Sequence, residues 1–367
     1  MPDRPEFQIY PESPQTKGKI EKNGEERLKQ KRTALMLAML LMISALGGCS
    51  GQKALNKYQV TLLDYFDTVT SITGYAEDEN AFTQMTSEIR EELEAYDRLY
   101  DIYHEYPGMV NLCTINSHPG ETWTVDQRVI DLLLFAREAD EFSGHRTSAM
   151  LGSLLRIWHE AREEATQNPD RARLPAEESL REAKTHTGFD LLEIDPENRT
   201  VRITDPEARL DVGALAKGYA VQRIAEKLPE GVLISAGGNV AATGPKPDGS
   251  DWIIGIQNPD GEGYLRKVTL KKGAVVTSGD YQRYYLVDGK AYHHIIDPET
   301  LFPSEKWRAV TVVCMDSGTA DALSTSLFLM EREEGQKLLE RFQAEAMWIG
   351  KDGTEYFSPG FRKLIKD

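Results

Sequence analysis

The spacing of apolar residues changes between the two halves of this 367-residue chain. In the first half, apolar residues recur every three or four positions, which is the period of an amphipathic helix. One such segment places Leu151, Leu154, Leu155 and Trp158 on a single helical face. The same period predicts helices over residues 77–97, 125–142, 147–166 and 175–185.

Beyond residue 188, apolar and polar residues alternate, and this period of two predicts strands. Asp288-Gly289 lies between two alternating runs, residues 281–287 and 291–296, and predicts a β-hairpin. The other predicted strands are residues 191–194, 201–204, 232–236, 252–257, 265–270, 274–277, 308–314 and 346–349. Helices are predicted in residues 210–226, 320–328 and 333–342.

These elements predict an α+β fold, with helices mainly in the first half and a largely antiparallel sheet in the second. Residues 58–76 are rich in Val, Thr, Ile and Tyr and predict a strand pair or one long strand before the first helix. Residues 99–120 contain many turn formers and predict a loop. No internal linker interrupts residues 58–367, which we expect to form one domain.

The N-terminal region has the pattern of an export signal. Basic positions 29–32 precede an apolar run, residues 34–46, and the sequence LGGC ends at Cys49. At 1.5 Å per residue the run spans roughly 20 Å, short of the ~30 Å hydrocarbon core of a membrane. Residues 1–48 therefore read as an upstream extension and a secretory signal, although a buried helix ending in two glycines is the alternative.

LGGC is similar to the bacterial lipobox, whose cysteine is lipidated. This similarity implies a lipid anchor on Cys49, a linker over residues 49–57 and a location on the extracytoplasmic face of the cell membrane. Residues 1–28 are polar and lie upstream of the expected signal. We therefore expect either a translation start near Leu28 or an unusually long basic region.

Charge and cysteine content argue against two classes of protein. The net charge is −16, whereas nucleic-acid binding needs clustered Lys and Arg to neutralise phosphates. Apart from Cys49, the cysteines are Cys113 and Cys314, which are too few and too far apart for a disulfide framework.

Candidate chemistry first appears in LDVGALAKGYAVQRIAE, residues 210–226. Asp211 is followed by a turn at Gly213 and by Lys217 in the first helical turns. Free N–H groups at a helix N-terminus and a nearby cation suit an anionic ligand. The alternative is a capped amphipathic helix with a surface lysine.

Two further segments add possible ligands and a base. Asp321 and Thr325 are four residues apart on a predicted helix, so their oxygens share one face and suit Mg²⁺. The alternative for this pair is a capping Asp and a packed Thr. His294 follows His293 on a predicted strand, where side chains alternate between faces, and it could equally be an ordinary sheet residue.

Several motifs together resemble the ApbE family of FAD:protein FMN transferases. In chain order they are DVGALAKGYA, SAGGN, TSGDYQRYY, HHIIDPET and ADALST, all in the second half. FDTVTSITGY and MLGSLLRIWHEARE are similar to the opening strand and central helix of that family. The resemblance covers most of residues 58–330 and implies an ApbE-like fold over residues 58–367.

The resemblance also implies roles for individual residues. It assigns FAD contacts to Asp211, Lys217, Phe66 at the adenine end, Ile296 and Ser148. It assigns Mg²⁺ to the Ala214 main-chain carbonyl, Asp321 and Thr325. It assigns the general base to His294.

Two positions depart from the family pattern. Many members have an Asp before the central helix where this chain has Ser148, so the FAD contact expected there loses its charge. The family motif HxxDPxTG ends here in Thr300-Leu301, without its closing glycine. The geometry of the chain after Thr300 is therefore open.

By resemblance, the expected activity is Mg²⁺-dependent transfer of FMN from FAD to a Ser or Thr hydroxyl of an acceptor flavoprotein, with release of AMP. The implied acceptors are extracytoplasmic FMN-binding domains such as those of Rnf- and Nqr-type complexes. Two alternatives remain: an FAD pyrophosphatase that uses water as acceptor, and a non-catalytic FAD-binding lipoprotein.

Overall fold

The computed structural model describes residues 54–366. Its centre is an eight-stranded sheet in which every pair of neighbouring strands is antiparallel. In order across the sheet, the strands are β1 (Asn56–Tyr65), β2 (Thr68–Ala76), β6 (Leu233–Ala236), β7 (Asn239–Ala242), β10 (Gly273–Gly279), β13 (Trp307–Cys314), β14 (Glu345–Gly350) and β15 (Glu355–Phe357).

Three smaller sheets complete the strand content of residues 54–366. The first contains β3 (Trp123–Thr124), β5 (Thr200–Ile203) and β4 (Leu192–Asp195). The second pairs β8 (Trp252–Gln257) with β9 (Tyr264–Leu270). The third is the hairpin of β11 (Tyr284–Val287) and β12 (Lys290–His293), whose turn residues Asp288 and Gly289 both have positive φ angles.

The described residues form eight α-helices. They are α1 (Glu79–Tyr100), α2 (Leu112–Ser117), α3 (Gln127–Phe142), α4 (Gly152–Gln167), α5 (Glu177–Thr185), α6 (Ala216–Ala225), α7 (Ser317–Leu329) and α8 (Arg332–Phe342). Side chains cap several of these helices. Asp316 at the start of α7, for example, accepts a hydrogen bond from Thr319 N–H at 2.8 Å.

The two faces of the large sheet pack against different layers. On β10, Ala274 and Val276 face helix α7 and join a core cluster with Leu323. Val275 points the other way and packs in a cluster with Trp252 of the β8–β9 pair. This alternation follows from the two-residue period of a strand and explains why β10 is apolar on both faces.

Helices α6 and α7 lie against each other on one face of the sheet, and glycines allow the close approach. A Cβ on Gly218 would lie 2.4 Å from both Asp321 Cβ and the Ser317 carbonyl oxygen. A Cβ on Gly318 would lie 3.1 Å from Tyr219 Cα. The start of α6 is therefore held directly against the first turns of α7, which brings the DVGALAKGYA and ADALST motifs together.

The predicted α+β architecture is confirmed, and the described residues belong to one compact unit. The prediction of a loop over residues 99–120 is wrong in part, because α2 forms there. Asn111 caps α2 by accepting from Thr114 N–H at 3.0 Å, and Leu112 and Ile115 are buried. Six residues are too few to show a helical period, so only burial reveals this helix.

Other differences concern short elements. Strands β3, β7 and β15 were not expected, and each has only two to four residues, too few for a clear alternation. The hairpin is also shorter than predicted, so that His294 follows β12 instead of lying within it.

The predicted signal segment, residues 1–48, and the predicted lipidation site Cys49 lie outside the described residues. Strand β1 begins at Asn56, so the last two residues of the predicted linker, residues 49–57, belong to that strand. Among residues 54–366, no helix combines the length and the apolar character needed to cross a membrane.

Candidate active site

The first turn of α6 is hydrogen-bonded to α7. Gly218 N–H donates to Asp321 Oδ2 at 2.8 Å, whereas its regular α-helical acceptor would be the Ala214 carbonyl. Across the described part of the chain, no other donor is hydrogen-bonded to the Ala214 oxygen. The carbonyl that the resemblance assigns to Mg²⁺ is therefore free to accept a ligand.

The Asp321 carboxyl is buried at this junction. Asp321 is 6% exposed, and this burial raises the pKa of its carboxyl. The positive charge of Lys217 lowers that pKa. Asn239, the first residue of β7, is also buried close by. Its side chain favours the charged form of Asp321, although its Nδ2 has no acceptor in hydrogen-bonding geometry among residues 54–366. The junction thus combines a buried carboxylate with a buried amide that lacks an acceptor.

Thr325 lies one helical turn after Asp321 and faces the end of β10. Its Oγ1 is 3.2 Å from Ser278 Oγ, which also lies 2.8 Å from Ser324 Oγ. The predicted pairing of Asp321 and Thr325 on one helical face therefore occurs in the structure, and Ser278 extends it to the neighbouring strand.

These oxygen atoms fit a small hard cation. The Ala214 carbonyl, the Asp321 carboxylate and the Thr325 hydroxyl are the kind of ligands that Mg²⁺ accepts, and the ion usually completes its shell with phosphate and water oxygens. Within the described ranges, no three His, Cys, Asp or Glu side chains are grouped so as to hold a metal. A metal bound here would therefore depend on a single carboxylate and on neutral oxygens.

Asp211 is positioned by two hydrogen bonds between Asn116 and the preceding residue, Leu210, which together form the Asn116 clamp. Asn116, near the end of α2, donates from Nδ2 to the Leu210 carbonyl at 2.9 Å and accepts from Leu210 N–H through Oδ1 at 2.7 Å. Asp211 N–H donates to the Ala149 carbonyl at 2.8 Å. Ser148 immediately precedes Ala149, is buried, and caps the short turn before α4. The Ser148 and Asp211 segments are therefore neighbours, as predicted.

The Asp211 carboxylate lies among basic side chains. Its Oδ1 accepts from Gly213 N–H at 2.9 Å. Burial raises its pKa, and the hydrogen bond from Gly213 N–H and the positive charges of Arg283 and Arg162 oppose that rise. The His159 side chain also lies close to Asp211. Asp211 therefore neighbours three residues that no sequence motif had assigned to the site.

The two adjacent histidines have different environments. His293 is 7% exposed; its Nε2 lies 2.8 Å from the Ser304 carbonyl and its ring packs edge-on against Phe328. His294 N–H donates to the Arg283 carbonyl at 3.1 Å, and His294 Nδ1 lies 3.3 Å from the same oxygen. A carbonyl oxygen only accepts, so Nδ1 carries the proton and Nε2 keeps its lone pair.

His294 is neutral in this environment. The residue is half-buried. Burial, followed by the positive charges of Arg283 and Arg162, lowers its pKa to about 3. A neutral imidazole with a free Nε2 is the form that can accept a proton.

Tyr103, His159, Arg162 and Arg283 are the cleft residues that sequence reasoning missed. Tyr103 is 54% exposed and its ring lies 5.0 Å from that of His159. A signal existed for two of them, because His159 and Arg162 are three residues apart on α4 and each lies one helical turn after a residue of the apolar stripe, Leu155 and Trp158 respectively. Arg283 lies within the quoted motif TSGDYQRYY but had been given no role.

Phe66 and Ile296 are the two remaining residues of the predicted site. Phe66 occupies the β1–β2 turn with a φ of 51°, and its N–H donates to Asp97 Oδ1 at 2.8 Å. Ile296 is buried in a cluster with Trp158 and Tyr285, so its side chain contributes to the wall behind the cleft. A separate cavity of about 1420 Å³ lies on the His293 side of the hairpin and does not include the predicted site residues.

Comparisons with known proteins agree with this geometry. The sequence pattern of the ApbE family matches residues 66–348. The FAD:protein FMN transferase of Treponema pallidum is 30% identical over 277 residues, covering 70% of this chain and 75% of that protein. The FAD:protein FMN transferase of Escherichia coli K12 is 26% identical over 353 residues, covering 91% of this chain and 97% of that protein.

Solved structures show the same fold. The ApbE protein of Thermotoga maritima superposes with a TM-score of 0.75 at 30% identity, covering 85% of this chain and all of that one. The flavin transferase ApbE of Vibrio cholerae superposes with a TM-score of 0.70 at 26% identity and covers the same share of this chain. Since the family pattern spans most of the chain and the structures agree, the chain belongs to the ApbE family.

Proposed function

We propose that this chain transfers the FMN part of FAD to a Ser or Thr hydroxyl of an acceptor protein, with Mg²⁺ bound and AMP released. Flavin transfer itself follows from membership of a family whose curated relatives are named FAD:protein FMN transferase. Dependence on Mg²⁺ is supported by one observation. The Ala214 carbonyl is free and lies beside Lys217 and the buried Asp321 carboxyl.

The reaction would be a displacement at phosphorus. The acceptor oxygen forms a bond to the phosphorus on the FMN side of the diphosphate, and the bond from that phosphorus to the bridging oxygen breaks. AMP leaves with the bridging oxygen, and the hydroxyl proton passes to His294 Nε2. Bound Mg²⁺ would supply charge neutralisation at the diphosphate oxygens.

The chain's own residues prepare this reaction. Lys217 places a positive charge beside the oxygen ligands of the metal site. Asp211 is fixed by the Asn116 clamp at the adjoining cleft wall. The Arg283 carbonyl fixes the His294 ring with Nε2 unprotonated, which is worth roughly 10²- to 10⁴-fold in rate if His294 is the general base.

Mass spectrometry of a candidate acceptor tests the proposal. The acceptor is incubated with the protein, FAD and Mg²⁺, and we expect a covalent FMN adduct on Ser or Thr with one AMP released per adduct. FMN and AMP without an adduct would establish an FAD pyrophosphatase. Binding of FAD without either product would establish a carrier.

We also propose that Cys49 carries a lipid that anchors the enzyme on the extracytoplasmic face of the membrane. There it would meet acceptors with an FMN-binding domain of the Rnf or Nqr type. The support is the short apolar run ending in LGGC. Cells fed a radioactive fatty acid should label the wild-type protein but not Cys49→Ser, and label retained by the variant would overturn the proposal.

A further inference from the structure

Two arginines of the cleft have no carboxylate partner. Arg162 lies on α4 and Arg283 immediately precedes β11. Within residues 54–366 neither forms an ion pair, whereas Arg156 on the same helix pairs with Glu160 at 2.9 Å. Arg162 is hydrogen-bonded to His159 and the Arg283 carbonyl contacts the His294 ring, and both arginines act electrostatically on Asp211 and on His294, so both lie close to these two residues.

Arg162 is held in position by an unusual partner. Its Nη2 lies 2.8 Å from His159 Nδ1, and since a guanidinium only donates, this nitrogen of His159 must be unprotonated. The His159 ring in turn stacks against Tyr103 at 5.0 Å with an angle of 30° between the rings. The guanidinium is therefore fixed by neutral groups, and the carboxylates that offset its charge, Asp211 and Glu163, lie beyond ion-pair distance.

Burying a cation that has no ion-pair partner costs folding free energy. Burial, and then the charge of Arg283, lower the pKa of Arg162, which means that the protein disfavours the charged form. Nevertheless, a guanidinium stays protonated at any ordinary pH. A ligand anion in the cleft would provide the missing compensation.

The position of His294 indicates which part of the ligand that anion is. Its ring is held by the Arg283 carbonyl, so the Arg283 side chain begins beside the imidazole. In the proposed reaction, Nε2 faces the acceptor hydroxyl at the phosphorus under attack. Side chains that lie around His294 should therefore also lie around the phosphoryl group that is transferred.

We propose that Arg162 and Arg283 bind the phosphoryl oxygens of the FMN half of FAD, on the His294 side of the diphosphate. This inference rests on the proposed function. A planar guanidinium matches the geometry of phosphate oxygens and can bind two of them at once. Lys217 and the metal ligands at Asp321 would then neutralise the diphosphate from one side, and the two arginines from the other.

The test compares FAD with a flavin that has no phosphate. Arg162→Gln and Arg283→Gln are compared with Arg156→Gln, an exposed control on the same helix. Affinities for FAD and for riboflavin are measured by fluorescence quenching, without metal and without acceptor. Loss of a charge-assisted hydrogen bond should weaken FAD binding by about tenfold to a hundredfold in the first two variants, with riboflavin binding unchanged.

Two results would overturn the proposal. Unchanged FAD affinity in both variants would show that the arginines do not touch the phosphates. An equal loss of FAD and riboflavin binding would show that they only maintain the shape of the cleft. Arg162→Lys and Arg283→Lys should recover part of the FAD affinity that the Gln variants lose, because lysine restores the positive charge but not the planar guanidinium. If neither Lys variant recovers affinity, a charge-based contact is contradicted as well.

Transfer by the wild-type protein is measured beside these affinities. If the wild type modifies no acceptor, the proposed function fails, whatever the arginine variants do. If the wild type transfers FMN and the variants bind FAD and transfer as well as it does, only the arginine site fails. The two hypotheses are thus tested by different measurements.

Discussion

Gly218 N–H and the Asp321 carboxylate form a hydrogen bond of 2.8 Å that joins two segments 103 residues apart in sequence. This bond fixes one carboxylate oxygen and removes from Ala214 the donor that its carbonyl would have in a regular helix. It therefore orients the carboxylate and frees the carbonyl that together form part of the proposed metal site. The absence of a side chain at Gly218 makes this arrangement possible, since a Cβ would collide with Asp321 Cβ.

Gly218→Ala should accordingly separate α6 from α7. A Cβ 2.4 Å from Asp321 Cβ and from the Ser317 carbonyl forces the helices apart, which we expect to cost about 1–3 kcal/mol of unfolding free energy. Mg²⁺ binding in the presence of FAD should weaken as well. Urea unfolding and isothermal titration would measure the two effects.

Gly261→Ala is a suitable control for that experiment. Its added Cβ would lie 3.6 Å from Asn258 Nδ2, an ordinary contact. We expect unchanged stability and metal binding in this variant. A Gly218→Ala protein that matches the control in both measurements would mean that the close approach of the helices has no role in the site.

Metal addition should stabilise the protein through Asp321. A ligand that binds only the folded state raises the unfolding free energy, by about 2.7 kcal/mol at one hundred times its dissociation constant. We expect Mg²⁺ with FAD to raise the melting temperature of the wild type but not of Asp321→Asn, which has lost the charged ligand. Without metal, the variant should be no less stable, because it no longer buries a charge.

Glu333→Gln, at the exposed start of α8, makes the same change of charge outside the site and should keep the full response to Mg²⁺. A chelator should remove the response in both the wild type and this control. A melting temperature of Asp321→Asn that rises with Mg²⁺ as much as that of the wild type would place the metal elsewhere.

Leu301 occupies the position where the family motif has glycine, and it adopts a φ of 67°. Its N–H donates to the Asp297 carbonyl at 2.8 Å, and its carbonyl accepts from Trp158 Nε1 at 2.9 Å, so the loop keeps its shape without glycine. This left-handed conformation costs a non-glycine residue roughly 1–2 kcal/mol.

Leu301→Gly and Leu301→Ala both remove the side chain, but only glycine relieves the strain. After allowing for the greater flexibility of glycine in the unfolded chain, we expect Leu301→Gly to be more stable than Leu301→Ala by about 0.5–1 kcal/mol. Denaturant unfolding of the two variants measures the difference. Equal stability would mean that the strain is absent in solution.

The sequence was sufficient for the parts of the fold that repeat over many residues. The helical period identified α3 and α4, and the alternation identified the strands of the large sheet from β10 to β14. It failed for α2, because six residues show no period and the helix depends on the Asn111 cap and on burial. Local patterns therefore predicted long elements and missed those that tertiary contacts stabilise.

For the site, too, the sequence predicted local relationships and missed contacts between distant residues. The four-residue spacing of Asp321 and Thr325 predicted that they share a face, because that relationship is local. The Asn116 clamp on Leu210 joins residues 94 apart, and no local pattern reports such a contact. Likewise, Arg162 belongs to a helix that the sequence predicted, but no local pattern shows that it lies close to His294.

Substitutions of His293 and His294 should distinguish a role in the stability of the hairpin from a role in the reaction. The buried hydrogen bond of His293 to the Ser304 carbonyl predicts that His293→Ala costs about 1–3 kcal/mol of stability. Transfer per folded molecule should remain near that of the wild type.

His294→Ala should have the opposite effects. Loss of a positioned base should slow FMN transfer by roughly 10²- to 10⁴-fold, while FAD affinity and melting temperature change little. Single-turnover transfer and calorimetric melting of both variants provide the comparison. Equal rate losses at the two histidines would assign the effect to the hairpin and not to the imidazole.

The pH dependence of transfer follows from the charges around His294. Its pKa is lowered to about 3 by burial and by the positive charges of Arg283 and Arg162, against ~6.5 for a free histidine. Nε2 is therefore already unprotonated at pH 5, and kcat/KM, which reports the free enzyme, should not fall through a pKa near 6.5. The same shift means that His294 contributes its full stability above pH 6.5 and loses it as the pH falls towards 3.

Removing a neighbouring charge should move this profile in a known direction. Arg162→Gln or Arg283→Gln takes away a charge that opposes protonation, so the pKa of His294 should rise and the acid limb of kcat/KM should shift to higher pH. Arg156→Gln, whose charge is paired on the outer face of α4, should leave the profile unchanged. Profiles recorded from pH 3 to 8, a range that includes the expected wild-type midpoint, decide the matter. A wild-type midpoint near 6.5 that does not move in the arginine variants would show that these charges do not act on the base.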